Sequence, residues 1–359
     1  MIAFVVRRLL YGLLVLLGVI VVVFLLFNVL PGDPARLLAG QRTDAETLAA
    51  INRDLGLDRS MGAQFLIYLN DLSPVSIHQT EDPATALHFS EEKYSGVLLF
   101  GVGGGHQLAL KYPYLRQSYQ SRRKVADIIR ETLPETAVLA FAAVFFATTL
   151  GIGLGLFAAL RKGSWYDNLA LILSALGVSG PTFFVGILVV WVGAYLLGEY
   201  TGFNLTGSLY TFDEYGDKEV LSLKNLVLPA FTLGLRPLAV VVQLTRSSVL
   251  EVLEQDYIRT AKAKGLGFIG LVFRHTLKNA LNPVLTAISG WLASLMAGAV
   301  FVEYIFGWKG IGNEIISALD RYDLPVIMGS VLVITTIFVA INLLVDIAYG
   351  FLDPRVRFS

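Results

Sequence analysis

Long apolar runs alternate with polar segments along this chain. Six of the runs are long enough to span a bilayer: 9–30, 134–160, 168–197, 226–250, 281–302 and 326–349. A helix needs about 20 apolar residues to cross the roughly 30 Å hydrocarbon layer, where only a helix or a closed barrel satisfies the backbone polar groups. The pattern therefore predicts an all-α, polytopic membrane protein with six transmembrane helices.

The first run follows Arg7 and Arg8, as the apolar core of a secretory signal would. It is longer than such a core, and "NVLPGDP" follows it instead of a small-residue cleavage site, so we expect a retained span. The polar stretch 31–133 is too long for a simple loop and predicts a partly folded extramembrane region. The predicted organisation is thus a tip and first span (1–30), this region (31–133) and a core (134–359).

Two local patterns refine the predicted spans. "SGP" at Ser179–Pro181 interrupts the third run, and proline removes a backbone donor and clashes with the preceding turn, so we expect a kink there. The cations of the short loops fall on one side if six spans alternate: Arg7, Arg8, Arg161, Lys162, Arg246, Arg259, Lys262, Lys264, Arg274, Lys278, Arg355 and Arg357. The positive-inside rule makes that side cytoplasmic, with both termini inside.

Composition narrows the candidate chemistry. The chain is 55% hydrophobic, its formal net charge is zero and it has no cysteine, which argues against a nucleic-acid partner and excludes disulfides and thiolate sites. The four histidines lack metal-ligand spacing, and no G-x-x-x-x-G-K-[ST] phosphate cradle occurs. "GVGGGH", 101–106, is interpreted as a flexible loop. We expect no catalytic, metal or cofactor site.

The cationic stretch "DYIRTAKAKGLGF", 256–268, lies between the fourth and fifth runs. It predicts a short helix closed by Gly265, then a turn and a second helix over "VFRHTLKNAL". On the first helix Tyr257, Ala261 and Gly265 share one face, and a face of small residues favours close contact with another protein. The alternative is that the loop lies on the anionic inner leaflet through its cations, each worth about 1 kcal/mol.

Arg259–Ala261, "RTA", followed after three residues by Gly265, resembles the EAA loop of ABC-transporter permeases. "DYIRTAKAKG" and "RHTLKNALNP" are similar to the dipeptide and oligopeptide, binding-protein-dependent subfamily. Further similar segments occur in the family's order: "RRLL" at 7–10, "LPGDPARLL" at 30–38, "LGLDR" at 55–59, "LTRSSVLEVL" at 244–253 and "NLLVDIAYGFLDPR" at 342–355.

The resemblance implies the permease subunit of an ATP-driven importer for peptides or similar small solutes, with a type I ABC importer permease fold in the bacterial inner membrane. The implied partners are a second homologous permease, two ATPase subunits and an extracytoplasmic solute-binding protein, and the chain itself is not an enzyme. The loop at about 251–280 would couple to the ATPases through Asp256, Tyr257, Arg259, Thr260, Ala261 and Gly265. The alternatives are another solute of the family, such as nickel or glutathione, or a stand-alone secondary transporter.

The chain departs from the family pattern at three places. "VEYIFGWKGIG", 302–312, has Lys309 where the resemblance implies proline, which leaves the shape of that turn open. "GFIG", 267–270, is more apolar than in relatives, which indicates a greasier docking contact or shallow membrane burial. An extra extracytoplasmic insert, about 73–113, is interpreted as a cap or binding-protein contact, with a plain spacer as the alternative.

Arg236 lies near the middle of the fourth run, where a cation costs about 2.5–3.5 kcal/mol on insertion scales. Such a residue rarely faces lipid, so it indicates either recognition of a peptide carboxylate or carbonyl, or a structural pair with another helix. Asn342 and Asp346 favour helix packing or loop anchoring. Small residues of the second and third runs, Gly151, Gly153, Gly155, Gly177 and Gly180, indicate close helix contacts.

Overall fold

A computed structural model describes residues 2–29, 49, 52, 56–80, 85–91, 93–212 and 217–352. The "LPGDPARLL" motif at 30–38 and the cations Arg355 and Arg357 lie outside these residues. The helices within them are α1 (Ile2–Val29), α2 (Met61–Leu72), α3 (Val125–Leu160), α4 (Trp165–Ser179), α5 (Thr182–Val190), α6 (Gly198–Thr201), α7 (Lys224–Leu253), α8 (Asp256–Ala263), α9 (Phe268–Gly270), α10 (Leu277–Ala280), α11 (Asn282–Gly298), α12 (Val300–Phe306), α13 (Ile311–Asp320) and α14 (Leu324–Leu352). Two π-helical segments, Trp191–Leu196 and Leu271–Thr276, follow α5 and α9.

Four helices among the described residues are long and apolar enough to cross a membrane, namely α1, α3, α7 and α14. Two further candidates are bent pairs: α4 and α5 meet at 111°, and α11 and α12 at 60°. Counting each pair as one span gives six, which agrees with the six apolar runs. The predicted kink is confirmed, because α4 ends at Ser179 and α5 begins at Thr182, on either side of Gly180 and Pro181.

The chain forms two compact units. The core unit comprises residues 1–13, 132–314 and 334–359, and the sheet unit comprises residues 14–131 and 315–333. The interior of the core unit is apolar and includes the fully buried side chains of Leu139, Val302 and Trp308.

Glycines set the contact between α3 and α7 within the core unit. A Cβ on Gly155 would lie 2.6 Å from the Val242 carbonyl oxygen, and one on Gly151 would lie 2.7 Å from Val241 Cγ1. Small residues spaced in this way let two helices approach closely in lipid, so the predicted packing role of both glycines is confirmed. It is wrong for Gly153, where a Cβ would meet nothing within 4 Å.

The sheet unit contains a three-stranded antiparallel sheet that the sequence pattern did not predict. Its strands are β1 (Val75–Gln79), β2 (Gly96–Gly103) and β3 (His106–Lys111), in the order β1-β3-β2. The "GVGGGH" segment is therefore not a flexible loop but part of the β2–β3 hairpin, whose turn residues Gly104 and Gly105 have φ of 60° and 73°. A second, two-stranded pair, β4 (Tyr210–Phe212) and β5 (Glu219–Leu221), belongs to the core unit.

A buried carboxylate joins α2 to the sheet. Asp71, 5% exposed, accepts hydrogen bonds from the Tyr94 hydroxyl at 2.9 Å and from Arg116 Nε at 3.3 Å. Its backbone oxygen accepts from Lys111 Nζ at 2.5 Å and from Tyr114 N at 2.8 Å. Burial lowers the pKa of Lys111 to about 8, although the nearby Asp71 charge opposes that shift.

The close contact of α3 with α7 predicts that Gly155→Ala destabilises the protein, while Gly153→Ala serves as the matched control in the same helix. Overpacking a tight contact costs on the order of 1–3 kcal/mol, and both variants gain the same intrinsic helix propensity. The thermal unfolding midpoint of the purified protein should be lower for Gly155→Ala than for Gly153→Ala. Equal midpoints would contradict the glycine contact.

The lowered pKa of Lys111 predicts that the sheet unit becomes more stable between about pH 8 and 10. Below pH 8 the folded and unfolded chains both hold the proton, so the folded chain bears the full cost of burying an ammonium group. Above pH 8 the folded chain releases the proton and the unfolded chain keeps it, so stability rises with pH. Burial raises the pKa of Tyr94, which therefore keeps its proton throughout this window.

Cleavage of the 56–124 segment by thermolysin, normalised at each pH to an unfolded substrate, should accordingly slow from pH 7.5 to 9.5. Lys111→Met should flatten this dependence, whereas Lys124→Met should retain it. A wild-type rate that rises or stays constant would refute the assignment.

Candidate functional site

The 251–280 loop folds as a helix, a turn and further helical segments, as predicted. Helix α8 starts after Gln255, whose backbone is extended, and Gly265 adopts the left-handed conformation with φ of 80°. Leu266 N then donates to the Ala261 carbonyl at 3.3 Å, which is the kind of bond that closes a helix. The chain continues through α9, a π-helical segment and α10.

The expected bare face of Tyr257, Ala261 and Gly265 does not form. Ala261 is buried at 8% exposure and packs with Ile258 and Leu271 against its own chain. Ile258 and Ala261 lie three residues apart, so they share the apolar stripe that attaches α8 to the rest of the loop. Gly265 remains open, since a Cβ there would meet nothing within 4 Å.

The exposed face of α8 is polar and charged, and is formed by Asp256, Tyr257, Arg259, Thr260 and Lys262. Arg259 Nη1 lies 3.4 Å from Asp256 Oδ1, and both side chains are largely solvated, so this ion pair contributes little stability. The Tyr257 hydroxyl accepts a hydrogen bond of 2.8 Å from Asn279 Nδ2, which ties α8 to α10. This face is free to contact another surface.

An apolar tip follows α8. Leu266, Phe268, Ile269 and Phe273 are all exposed, with Ile269 at 73%. Exposed apolar residues bordered by cations suit either a protein groove or the boundary of a bilayer, so both interpretations of "GFIG" remain available.

A buried ion pair fixes the end of α7 that leads into the loop. The Asp167 carboxylate accepts from Arg246 Nη2 at 2.7 Å, from Arg246 Nε and from Gly163 N at 2.9 Å. Asp167 is 2% exposed in its side chain. The sequence does not predict this pair, because its partners are 79 residues apart. The available signals were an acidic residue shortly after an N-cap serine and an arginine within an apolar helix.

Arg236 is exposed and donates from Nη2 to the Val178 carbonyl at 3.3 Å. Val178 lies at the end of α4, next to the break at Gly180, where backbone carbonyls lack helical donors. The structure thus shows the contact with another helix that was one of the two expectations.

Glu303 organises the 307–312 turn, and sequence reasoning missed it. Its fully buried carboxylate accepts from Thr136 Oγ1 at 2.6 Å, from Gly312 N at 2.7 Å and from Asn313 N at 3.1 Å, so it caps the start of α13. A Cβ on Gly310 would overlap this carboxylate, and one on Gly312 would lie 2.8 Å from it. In the sequence, the signal for this capped turn was an acidic residue, Glu303, followed by Gly310 and Gly312.

No group of three or more His, Asp or Glu side chains able to hold a metal ion occurs in the part of the chain that the structure describes. The candidate site consists of the exposed surface of the 251–280 loop, together with polar residues at the helix breaks.

Comparison with known proteins matches most of the chain to two related family models. Residues 151–358 match the family described as binding-protein-dependent transport system inner membrane component, and residues 1–93 match the N-terminal model for membrane components of such systems.

Three relatives align over essentially their whole length. The chain is 34% identical over 371 residues to a dipeptide transport system permease protein of Alkalihalophilus pseudofirmus, with all of both chains covered. It is 35% identical over 375 residues to a di/tripeptide transport system permease protein of Pseudomonas aeruginosa, and 34% identical over 376 residues to a dipeptide transport system permease protein of Escherichia coli, with 99% of each chain covered. The chain therefore belongs to the family of multi-pass inner-membrane components of binding-protein-dependent transport systems.

Proposed function

We propose that this chain is the permease subunit of an ATP-driven importer for peptides or similar small solutes. The observation that carries the proposal is the end-to-end similarity to peptide permeases from three bacteria. The chain lacks a G-x-x-x-x-G-K-[ST] phosphate cradle, so the proposal assigns ATP hydrolysis to two partner subunits and solute delivery to a binding protein. A second, homologous permease would complete the translocation pathway.

We propose further that the 251–280 loop is the coupling site for the ATPases and lies in the cytoplasm with both termini. Its support is the exposed face of α8, held from behind by Ile258 and Ala261 and by the Asp167–Arg246 pair. Arg8 Nη1 lies 3.0 Å from Asp346 Oδ2, so an ion pair joins α1 to α14 near the N-terminal part of one helix and the C-terminal part of the other.

The three-stranded sheet is proposed as a contact for the binding protein on the opposite membrane side. Its edge strand β2 exposes Val97, Leu99 and Phe100, which offer apolar area on a stable framework.

Charge reversal on the exposed face of α8 is the direct test of coupling. In proteoliposomes holding the chain with its co-purified partner subunits and binding protein, Arg259→Glu should lower uptake of a labelled dipeptide and solute-stimulated ATP hydrolysis together. We expect roughly a ten-fold loss, the size of an interface contact worth 1–2 kcal/mol.

Lys309→Glu reverses the charge of an exposed lysine on another loop; it is the matched control and should leave both rates unchanged. Ala261→Trp is a poor test, because it would disrupt the folding of the loop itself. Full uptake by Arg259→Glu in an assembled complex would remove Arg259 from the coupling site.

Arg236 is proposed to line the pathway and to recognise the peptide carboxylate. Arg236 is exposed, and its Nη2 donates to the Val178 carbonyl, which leaves the other guanidinium N–H groups as donors for a ligand. Arg236→Leu should reduce uptake of a free dipeptide several-fold and reduce uptake of its C-terminal amide much less.

A purely structural role would lower uptake of both peptides equally and would be accompanied by a lower unfolding midpoint. Normal uptake of the free dipeptide by Arg236→Leu would likewise exclude the pathway role.

A further inference from the structure

An open apolar groove lies within the core unit, between α3, α5 and α7. Its volume is about 790 Å³, and every side chain that lines it is apolar, including Phe146, Val189, Phe203, Val227 and Phe231. This is within the roughly 300–1,000 Å³ range of small-molecule sites, which ordinarily include several polar groups. A peptide backbone placed here would find no hydrogen-bond partner, so the groove does not suit the proposed cargo.

The groove is built into the fold. Gly193, in the π-helical segment after α5, lies so close to α7 that a Cβ would be 3.0 Å from Leu228 Cδ2. The hydroxyl of Thr201 donates to the Gly193 carbonyl at 2.9 Å and satisfies a backbone group within the distorted helix. Local π-helical turns recur at functional sites, where they reshape a helix surface.

The groove has a buried floor and exposed rims. Leu228 and Ala230 on the floor are 8% and 6% exposed, whereas Leu188, Val192 and Val227 at the rims are 41–46% exposed. A lining with a buried apolar floor and half-exposed apolar rims is chemically suited to a hydrocarbon chain.

One end of the groove carries a cation and interfacial aromatic residues. The Lys224 ammonium lies 3.6 Å from the position of a Cβ on Gly202, next to the lining residue Phe203. No carboxylate of the described chain forms an ion pair with Lys224. Tyr195 and Tyr200, both exposed, precede this end along the chain, and tyrosine is enriched at the headgroup level of membranes.

From these features we infer that the groove binds an acyl chain of a phospholipid whose phosphate group pairs with Lys224. The apolar lining accepts the chain, and Lys224, which pairs with no carboxylate among the described residues, accepts the anionic headgroup. The site lies at the end of α7 opposite the 251–280 loop, so it is separate from the proposed coupling surface.

Photo-crosslinking of lipids to the full chain, purified with its bound partner subunits and placed in nanodiscs, tests this site. The probes are phosphatidylglycerol and diacylglycerol that carry the same diazirine-labelled acyl chain. Phosphatidylglycerol should label α5 and α7 at groove residues more strongly than diacylglycerol does. Lys224→Glu should lower labelling by phosphatidylglycerol roughly five-fold, as expected for one cation near an anionic lipid, and leave that by diacylglycerol unchanged.

Lys309→Glu is the charge control and should not change labelling by either probe. Val192→Trp should fill the groove and lower labelling by both probes, with uptake as a check that the protein remains folded. Equal labelling by both probes, or an unchanged result with Lys224→Glu, would overturn the headgroup assignment.

The chain contains no cysteine, so crosslinking from a single Val227→Cys variant shows whether a protein helix occupies the groove instead of a lipid. Without lipid labelling, a specific crosslink from this cysteine to the second permease would show that a protein helix covers the groove and would overturn the lipid assignment. Lipid labelling with no such crosslink would support it.

Discussion

A helix that breaks within a membrane protein leaves backbone groups without helical partners, and this chain satisfies them with charged side chains. Arg236 donates to the Val178 carbonyl where α4 ends before Gly180, and the buried Glu303 accepts from the amides of Gly312 and Asn313 where α13 begins. A buried backbone group left without a partner costs free energy, so a helix end and its charged partner form one structural feature. The positions of both side chains follow from the breaks, and the candidate pathway residue is one of them.

Helix α7 carries most of the features that bear on function. It extends over 30 residues, or roughly 45 Å, and its sequence leads from Lys224 through Arg236 and Arg246 into α8. It packs on α3 through Gly151 and Gly155 and is joined to α4 through the Asp167–Arg246 pair. Under the proposed function, a displacement of α8 would therefore be transmitted through α7 to α3 and α4, because these helices are held together by close contacts and an ion pair. Packed elements of this kind move as units, since well-packed interiors are not continuously deformable.

The sequence predicts those parts of the structure that depend on local pattern. The apolar runs, the break at Gly180 and the helix and turn of the 251–280 loop all follow from run length, proline and glycine. The buried face of α8 does not follow from local pattern. Ile258 decides which side of the helix packs against the loop, and the small size of Ala261 does not. Pairing between distant residues is also beyond local pattern, as with Asp167 and Arg246. Strand β1 (VSIHQ) alternates apolar and polar side chains over only five residues, and β3 (HQLALK) does not alternate, so local pattern does not predict this sheet.

The turn at 307–312 departs from the family pattern, and its contacts explain how it keeps its shape. Lys309 stands where the resemblance implies proline, and its backbone N–H donates to Ser208 Oγ at 2.9 Å, a bond that proline cannot make. Ser208 in turn donates to the carboxylate of Glu135, so the lysine adds a link between two loops of the core unit. The turn keeps its shape without proline because the Glu303 carboxylate occupies the space beside Gly310 and Gly312. Any residue except proline would keep the bond to Ser208 at position 309, whereas the two glycines are fixed by the carboxylate they enclose.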